Sequence, residues 1–157
     1  MDLQQMARLA EAVGRGDYAA VAAAFSASPQ VGSFGIRCEI DDPLRPRVYL
    51  DDAGPAHRGG VGSTAINGAV MAAMFDLAIG LLGVPFWTEG MAPTATLNIQ
   101  YLRPAVADGV IVEAERGEVT KSRIFGRAAL RPIGGEAIFA QCQGSLGRGR
   151  VLQTDRA

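Results

Sequence analysis

The sequence predicts an α+β fold in which a curved antiparallel sheet wraps around one central helix. Three observations point to it. From Gly59 to Thr88 the chain carries a single charge, Asp76, within a run that is apolar nearly all round at helical spacing. Downstream of that run the pattern is all strand, cut by short turns. Upstream, two short helical patterns precede two more strands. A helix that is apolar on most sides must be covered on most sides, and six strands joined by short turns make an antiparallel sheet able to cover it.

Each element has a local reason. Leu3, Met6, Ala10 and Val13 recur at helical spacing, and Gly14 and Gly16 end that pattern. Asp17 suits the N-cap of a second short helix over Tyr18 to Ala27, which Pro29 stops. From Phe34 the period changes: FGIRCEI alternates, and RPRVYLD follows the Asp42-Pro43 turn. A Gly-rich loop from His57 to Gly62 leads into the apolar helix, which begins near Asn67. Four further strands are PTATLNIQYL, GVIVEAERGEVT, SRIFGRAALRP and AIFAQCQGSL, separated at Arg103-Pro104, Asp108-Gly109 and Gly134-Gly135. In the fifth strand Ile124, Gly126, Ala128 and Leu130 share one face, and Arg123, Phe125, Arg127 and Arg131 the other.

At 157 residues the chain has the length of one domain. Residues 1–30 read as an N-terminal helical extension and 31–150 as the sheet-and-helix domain. A hydrophobic share of 48% is rich for a small monomer and suggests apolar surface covered by a second copy, while a net charge of −1 argues against nucleic acid as a partner. Cys38 and Cys142 lie far apart without metal-binding or redox spacing, so neither a metal site nor a disulfide is expected and a reducing cytoplasm fits. The N-terminus has no uninterrupted apolar core of a signal peptide. The one candidate membrane segment, Ala69 to Trp87, has Asp76 at its middle and is broken by Gly80, Gly83 and Pro85, so a buried soluble helix is expected and no membrane.

Asp76 is the residue most in need of a reason. A carboxylate in an apolar helix is expected to be desolvated on packing, which costs several kcal/mol unless it is bonded or protonated.

The segment INGAVMAAMFDLAIG resembles the helix-opening motif of the phenylacetyl-CoA type of hotdog-fold acyl-CoA thioesterases, a His-Gly-Gly followed by an acid nine positions after the histidine. The matching positions here are Asn67, Gly68, Ala69 and Asp76. TATLNIQYLRPA resembles that family's third strand, ending in Tyr-Leu-Arg-Pro-Ala at Tyr101 to Ala105, with Thr94 at the family's Ser/Thr position. The likeness spans about Phe34 to Leu146 and implies the hotdog fold, thioester hydrolysis and sites shared across a homodimer. The family's histidine is replaced by Asn67, and an asparagine common six residues earlier falls on Val61.

Hydrolysis of an acyl-CoA needs a base or nucleophile and donors for the oxyanion. Asp76 suits the first role, and Gly68 at the helix N-terminus the second, with Asn67 offering a cap and an amide N–H and Thr94 a hydroxyl for the water or the carboxylate. Gly68 and Asp76 stand about 12 Å apart along a helix axis, too far for one carbonyl carbon, so a second copy must supply one of them. Arg103, Lys121, Arg123 and Arg127 are candidates for the coenzyme A phosphates, and Phe86, Trp87, Met71 and Met74 for the acyl pocket. Coenzyme A enters as part of the substrate, and neither a metal nor a redox cofactor is expected. The assembly expected is a homodimer or a dimer of dimers. The alternative is a non-catalytic binder of an acyl thioester or lipid-like ligand on the same fold. A hydratase would call on His57, the sole histidine, outside the helix, and no GxSxG nucleophile elbow is present.

Overall fold

The computed structural model describes residues 3–59, 64–88, 90 and 92–148, with side chains from residue 7 onward. Val61, at the family's asparagine position, lies outside the described residues, as does much of the Gly-rich loop. The N-terminal elements are α1 (Leu3–Gly14), α2 (Tyr18–Ser26) and a single turn, α3 (Pro29–Gly32). Strands β1 (Arg37–Glu39) and β2 (Arg47–Leu50) follow, then α4 (Gly68–Leu81), β3 (Thr94–Tyr101), β4 (Val110–Val119), β5 (Arg123–Pro132) and β6 (Ala140–Gly147). All six strands form one antiparallel sheet in the order β1-β2-β4-β5-β6-β3.

The caps are those the sequence supplies. Asp17 accepts from the Ala20 N–H at the start of α2, Ser28 from Val31 at α3, and Asn67 from Ala69 at α4. α3 went unforeseen, Ser28 and Pro29 sharing a start signal that reads equally as a stop.

α4 crosses the inner face of the sheet. Val70, Met71, Met74, Phe75, Ala78, Ile79 and Leu81 are buried, and the inward residues of β5 are Ile124, Gly126, Ala128 and Leu130, as the alternation predicts. Two glycines on neighbouring strands, Gly126 and Gly144, let the helix come close. A Cβ on Gly126 would stand 2.3 Å from Leu82 Cδ1, and one on Gly144 3.0 Å from Ile79 Cγ2. The run Gly68–Phe86 is long and apolar enough to cross a membrane by length and composition, but here it is the core helix of the sheet.

The extension joins the same core. Leu9, Ala12, Val13, Val21 and Ala22 are buried in one cluster with α4 and the sheet. The Cys38 backbone N–H on β1 donates to Ser26 Oγ of α2 at 2.9 Å, and the Phe25 ring stands 5.5 Å from that of Trp87. Both cysteines are free and buried, and burial pushes the Cys38 thiol up to about 11.

Candidate active site

The start of α4 is held from four directions. The Ile66 N–H donates to Ala105 O at 3.0 Å and the Asn67 N–H to His57 O at 2.8 Å. Asn67 Oδ1 accepts from the Ala69 N–H at 2.8 Å, and Tyr101 Oη donates to Gly68 O at 3.0 Å. Behind this, Arg58 draws three loops together, donating to the carbonyls of Ala53 (2.9 Å), Ala107 (3.2 Å) and Thr64.

Gly68 is the first helical residue, so its N–H has no intrahelical acceptor. Because the cap uses Oδ1 of Asn67, the amino end of that amide is left as a second donor beside it. A Cβ on Gly68 would meet Tyr101 at 3.6 Å, an ordinary contact, so packing within the chain gives no reason for glycine there.

Asp76 corrects an expectation: in the single chain its side chain is exposed, not desolvated. The helix has two unlike faces. Its large side chains meet the sheet, while Ala69, Ala72, Ala73, Asp76, Leu77 and Gly80 lie on the side the sheet leaves uncovered. The Asp76 charge is still felt within the fold, adding to the burial that raises the Cys142 thiol.

β3 runs along this open side as an edge strand with no buried residue. A register shift between Thr94 and Thr96 puts Thr94 opposite Leu146, while Thr96 stands opposite Ser145 and shares a hydrogen bond with it at 2.8 Å. Leu146 packs on the helix side near Gly83, so the bulge turns Thr94 toward that side, whereas strict alternation would leave it with Thr96. No hydrogen bond links Thr94 to Asp76 within the described residues.

The other predicted site residues are placed elsewhere. Met71 and Met74 are buried in the core against the sheet. Phe86 and Trp87 lie past the far end of α4, Trp87 against Phe25, and Phe86 with Arg116 and Arg148 over its ring at 5.5 and 4.9 Å. Arg127 is on the outer face of the sheet, paired with Glu115 at 2.8 Å, and it holds the Glu115 carboxyl below its usual range. Arg103, Lys121 and Arg123 are exposed, and none of them forms an ion pair among the described residues. His57 shares a 3.0 Å hydrogen bond with Phe34 O through Nε2, and its Nδ1 is buried without a partner, so neither nitrogen is open to a substrate. Among the described residues no cluster of three or more His, Cys, Asp or Glu could hold a metal.

A polar groove of about 550 Å³ also lies on the outer face, lined by Glu113, Glu115, Arg127, Arg131 and the amides of β3 and β6. The sheet separates it from Asp76 and Gly68.

Residues 64–138 match the thioesterase superfamily. The match spans just under half of the chain. It contains the helix start, Asp76, Thr94 and Tyr101, and the fold around it is the hotdog fold. A Shewanella oneidensis protein related to the thioesterase superfamily superposes with a TM-score of 0.72 at 18% identity, over 90% of this chain and 97% of that one. A thioesterase from Haemophilus influenzae gives 0.72 at 14%, over 83% and 89%. A mutant of the phenylacetic acid degradation protein PaaI from Thermus thermophilus gives 0.63 at 19%, over 78% and 100%. No curated protein matches the sequence. At these identities the solved structures establish the fold alone, that of the matched segment and of the strands that complete it.

Sequence reasoning passed over Tyr101 and Arg58 as working residues. Tyr101 stood in the quoted Tyr-Leu-Arg-Pro run, so its signal was present. Arg58 reaches three carbonyls that only the folded loops bring together.

Proposed function

We propose that the protein is an acyl-CoA thioesterase that hydrolyses small to medium acyl or aryl-acyl thioesters. One observation carries the reading: the capped helix start offers two donors, Gly68 N–H and Asn67 Nδ2, and the same uncovered face of that helix presents a lone carboxylate, Asp76. Asp76 takes a proton from water as its oxygen adds to the thioester carbonyl, or attacks that carbon itself. The oxyanion falls to Gly68 and Asn67. Collapse breaks the C–S bond, and the departing thiolate takes up a proton to leave free acid and coenzyme A. Thr94 holds the water or the carboxylate.

Eight residues of helix separate the donors from the acid, about 12 Å, so the site is completed by a second copy whose α4 start meets the first copy's Asp76. The uncovered small-residue face of α4 and the bare edge of β3 support such a homodimer, alone or as half of a tetramer. In that assembly the second copy covers the acid and shields it from solvent. Arg103, Lys121 and Arg123, exposed and without an ion pair among the described residues, are assigned to the coenzyme A phosphates; Arg127 is set aside because Glu115 already neutralises it. The protein is assigned to the cytoplasm, where two free thiols stay reduced.

Thiol release from a panel of acyl-CoAs by wild type and Asp76→Asn tests the reading. Release that falls at least a thousandfold in the variant, with unfolding unchanged, is expected. Equal release would remove Asp76 from the mechanism, and coenzyme A binding without any release would favour a binder.

A further inference from the structure

The peptide group between Gly68 and Ala69 is gripped at both ends. Its N–H goes to Asn67 Oδ1 at 2.8 Å, and its carbonyl receives the Tyr101 hydroxyl at 3.0 Å. That carbonyl lies in the first turn, one residue after Asn67 O, which accepts from the Met71 N–H at 3.1 Å, so the tyrosine supplies an additional hydrogen bond on its second lone pair. The Tyr101 ring is half exposed, with 51% of its surface in solvent, at the end of an edge strand. Its phenol is thus spent on one backbone oxygen rather than on the core. The chain beyond it is anchored as well: Leu102 and Arg103 N–H groups both donate to Phe139 O, at 2.9 and 3.2 Å, and Ala105 O holds Ile66.

We propose that Tyr101 is a positioning residue for thioester hydrolysis, acting through the Gly68–Ala69 peptide to fix the direction of the two oxyanion donors. The inference rests on the hydrolase reading above and adds a residue to it. A first-turn peptide free to tilt would loosen the Asn67 amide, whose oxygen is bonded to its N–H, and would turn at the Gly68 Cα, the hinge it shares with the peptide that carries the Gly68 N–H. Donor direction matters where charge develops, in the transition state, more than where substrate first binds. Tyr101 touches neither the reacting atoms nor the acid, and its effect passes entirely through the backbone it holds. The same bond ties β3, which carries Thr94, to the helix that carries Asp76.

Steady-state thiol release by Tyr101→Phe tests this, with wild type and Asp76→Asn measured in the same plate. Removing only the hydroxyl is expected to lower kcat about tenfold and leave KM within about twofold, a split that a general loss of structure does not produce. Thermal unfolding of Tyr101→Phe is expected to stay near wild type, because a half-exposed hydroxyl is removed without opening a cavity. A double variant, Tyr101→Phe with Asn67→Ala, is expected to lose less than the product of the two single losses, since both side chains act on one peptide. An active wild type with an unchanged kcat in Tyr101→Phe overturns the positioning role and leaves the hydrolase reading standing. An inert wild type overturns the hydrolase reading, and this assignment with it.

Discussion

The rings of Phe25 and Trp87 stand 5.5 Å apart, tilted by 47°, and fasten the second N-terminal helix to the segment that follows the central one. The contact joins residues 62 positions apart in the chain (87 − 25), both half-buried against the common core. One face of the Trp87 ring is thereby engaged by the N-terminal extension.

Truncating Phe25 to alanine is therefore expected to cost about 2 kcal/mol of stability, below the range for a fully buried phenylalanine because this one is only partly covered. Trp87 is the sole tryptophan, so its emission should move to longer wavelength in the same protein. Urea unfolding followed by fluorescence reads both. Wild-type stability with an unshifted spectrum would mean that the extension is held elsewhere.

Asn67 has two jobs that one substitution separates. Asn67→Asp keeps the acceptor for the Ala69 N–H and caps a helix as well as asparagine does, while it removes both amide donors and brings a negative charge beside the proposed oxyanion site. Thermal stability should hold, and kcat/KM should fall at least a hundredfold. Full activity in a stable Asn67→Asp protein would reduce the residue to a cap.

Gly126 marks the closest approach of helix to sheet. An alanine there drives a methyl group into Leu82 at 2.3 Å, inside a core where Leu82 has no exposure to yield into. A loss of about 1–3 kcal/mol is expected, read by chemical denaturation. An unchanged midpoint would mean that the helix can lift without penalty.

The Cys38 thiol sets a pH dependence. Its folded value lies at about 11, above the ordinary 9.0, so the folded state holds the proton more tightly than the unfolded one. The stabilisation is fully present below pH 9 and is lost as pH climbs toward 11, by an amount on the order of 2–3 kcal/mol. Comparing unfolding free energies of wild type and Cys38→Ala from pH 8 to 11 isolates it: the wild-type curve should fall more steeply. Parallel curves would show that the thiol titrates normally.

The strands and the central helix were legible because their periods differ: alternation in β5 gave both its faces correctly, and Asn67 marked its own helix start. The exposure of Asp76 was not read, because uniform hydropathy hides which side of a helix its own sheet leaves bare. Size would have told more than hydropathy. Val70, Met71, Met74, Phe75 and Ile79 fall on one face with Ala78, and Ala69, Ala72, Ala73 and Gly80 on the other, where Leu77 is the large exception. The fates of Phe86 and Trp87 depended on Arg116, Arg148 and Phe25, partners distant in sequence that no local pattern ties to them. The position of β3 at the sheet edge likewise follows from the order in which strands pair, not from the strand's own residues.

Ser26 gives the sheet a direction of growth. By accepting the Cys38 N–H it caps one backbone group of β1 from outside, while among the described residues β3 at the opposite end has no backbone partner beyond β6. The β3 edge has a valence of one. Two copies that pair through their β3 edges use up that edge on each, so that mode of association stops at two.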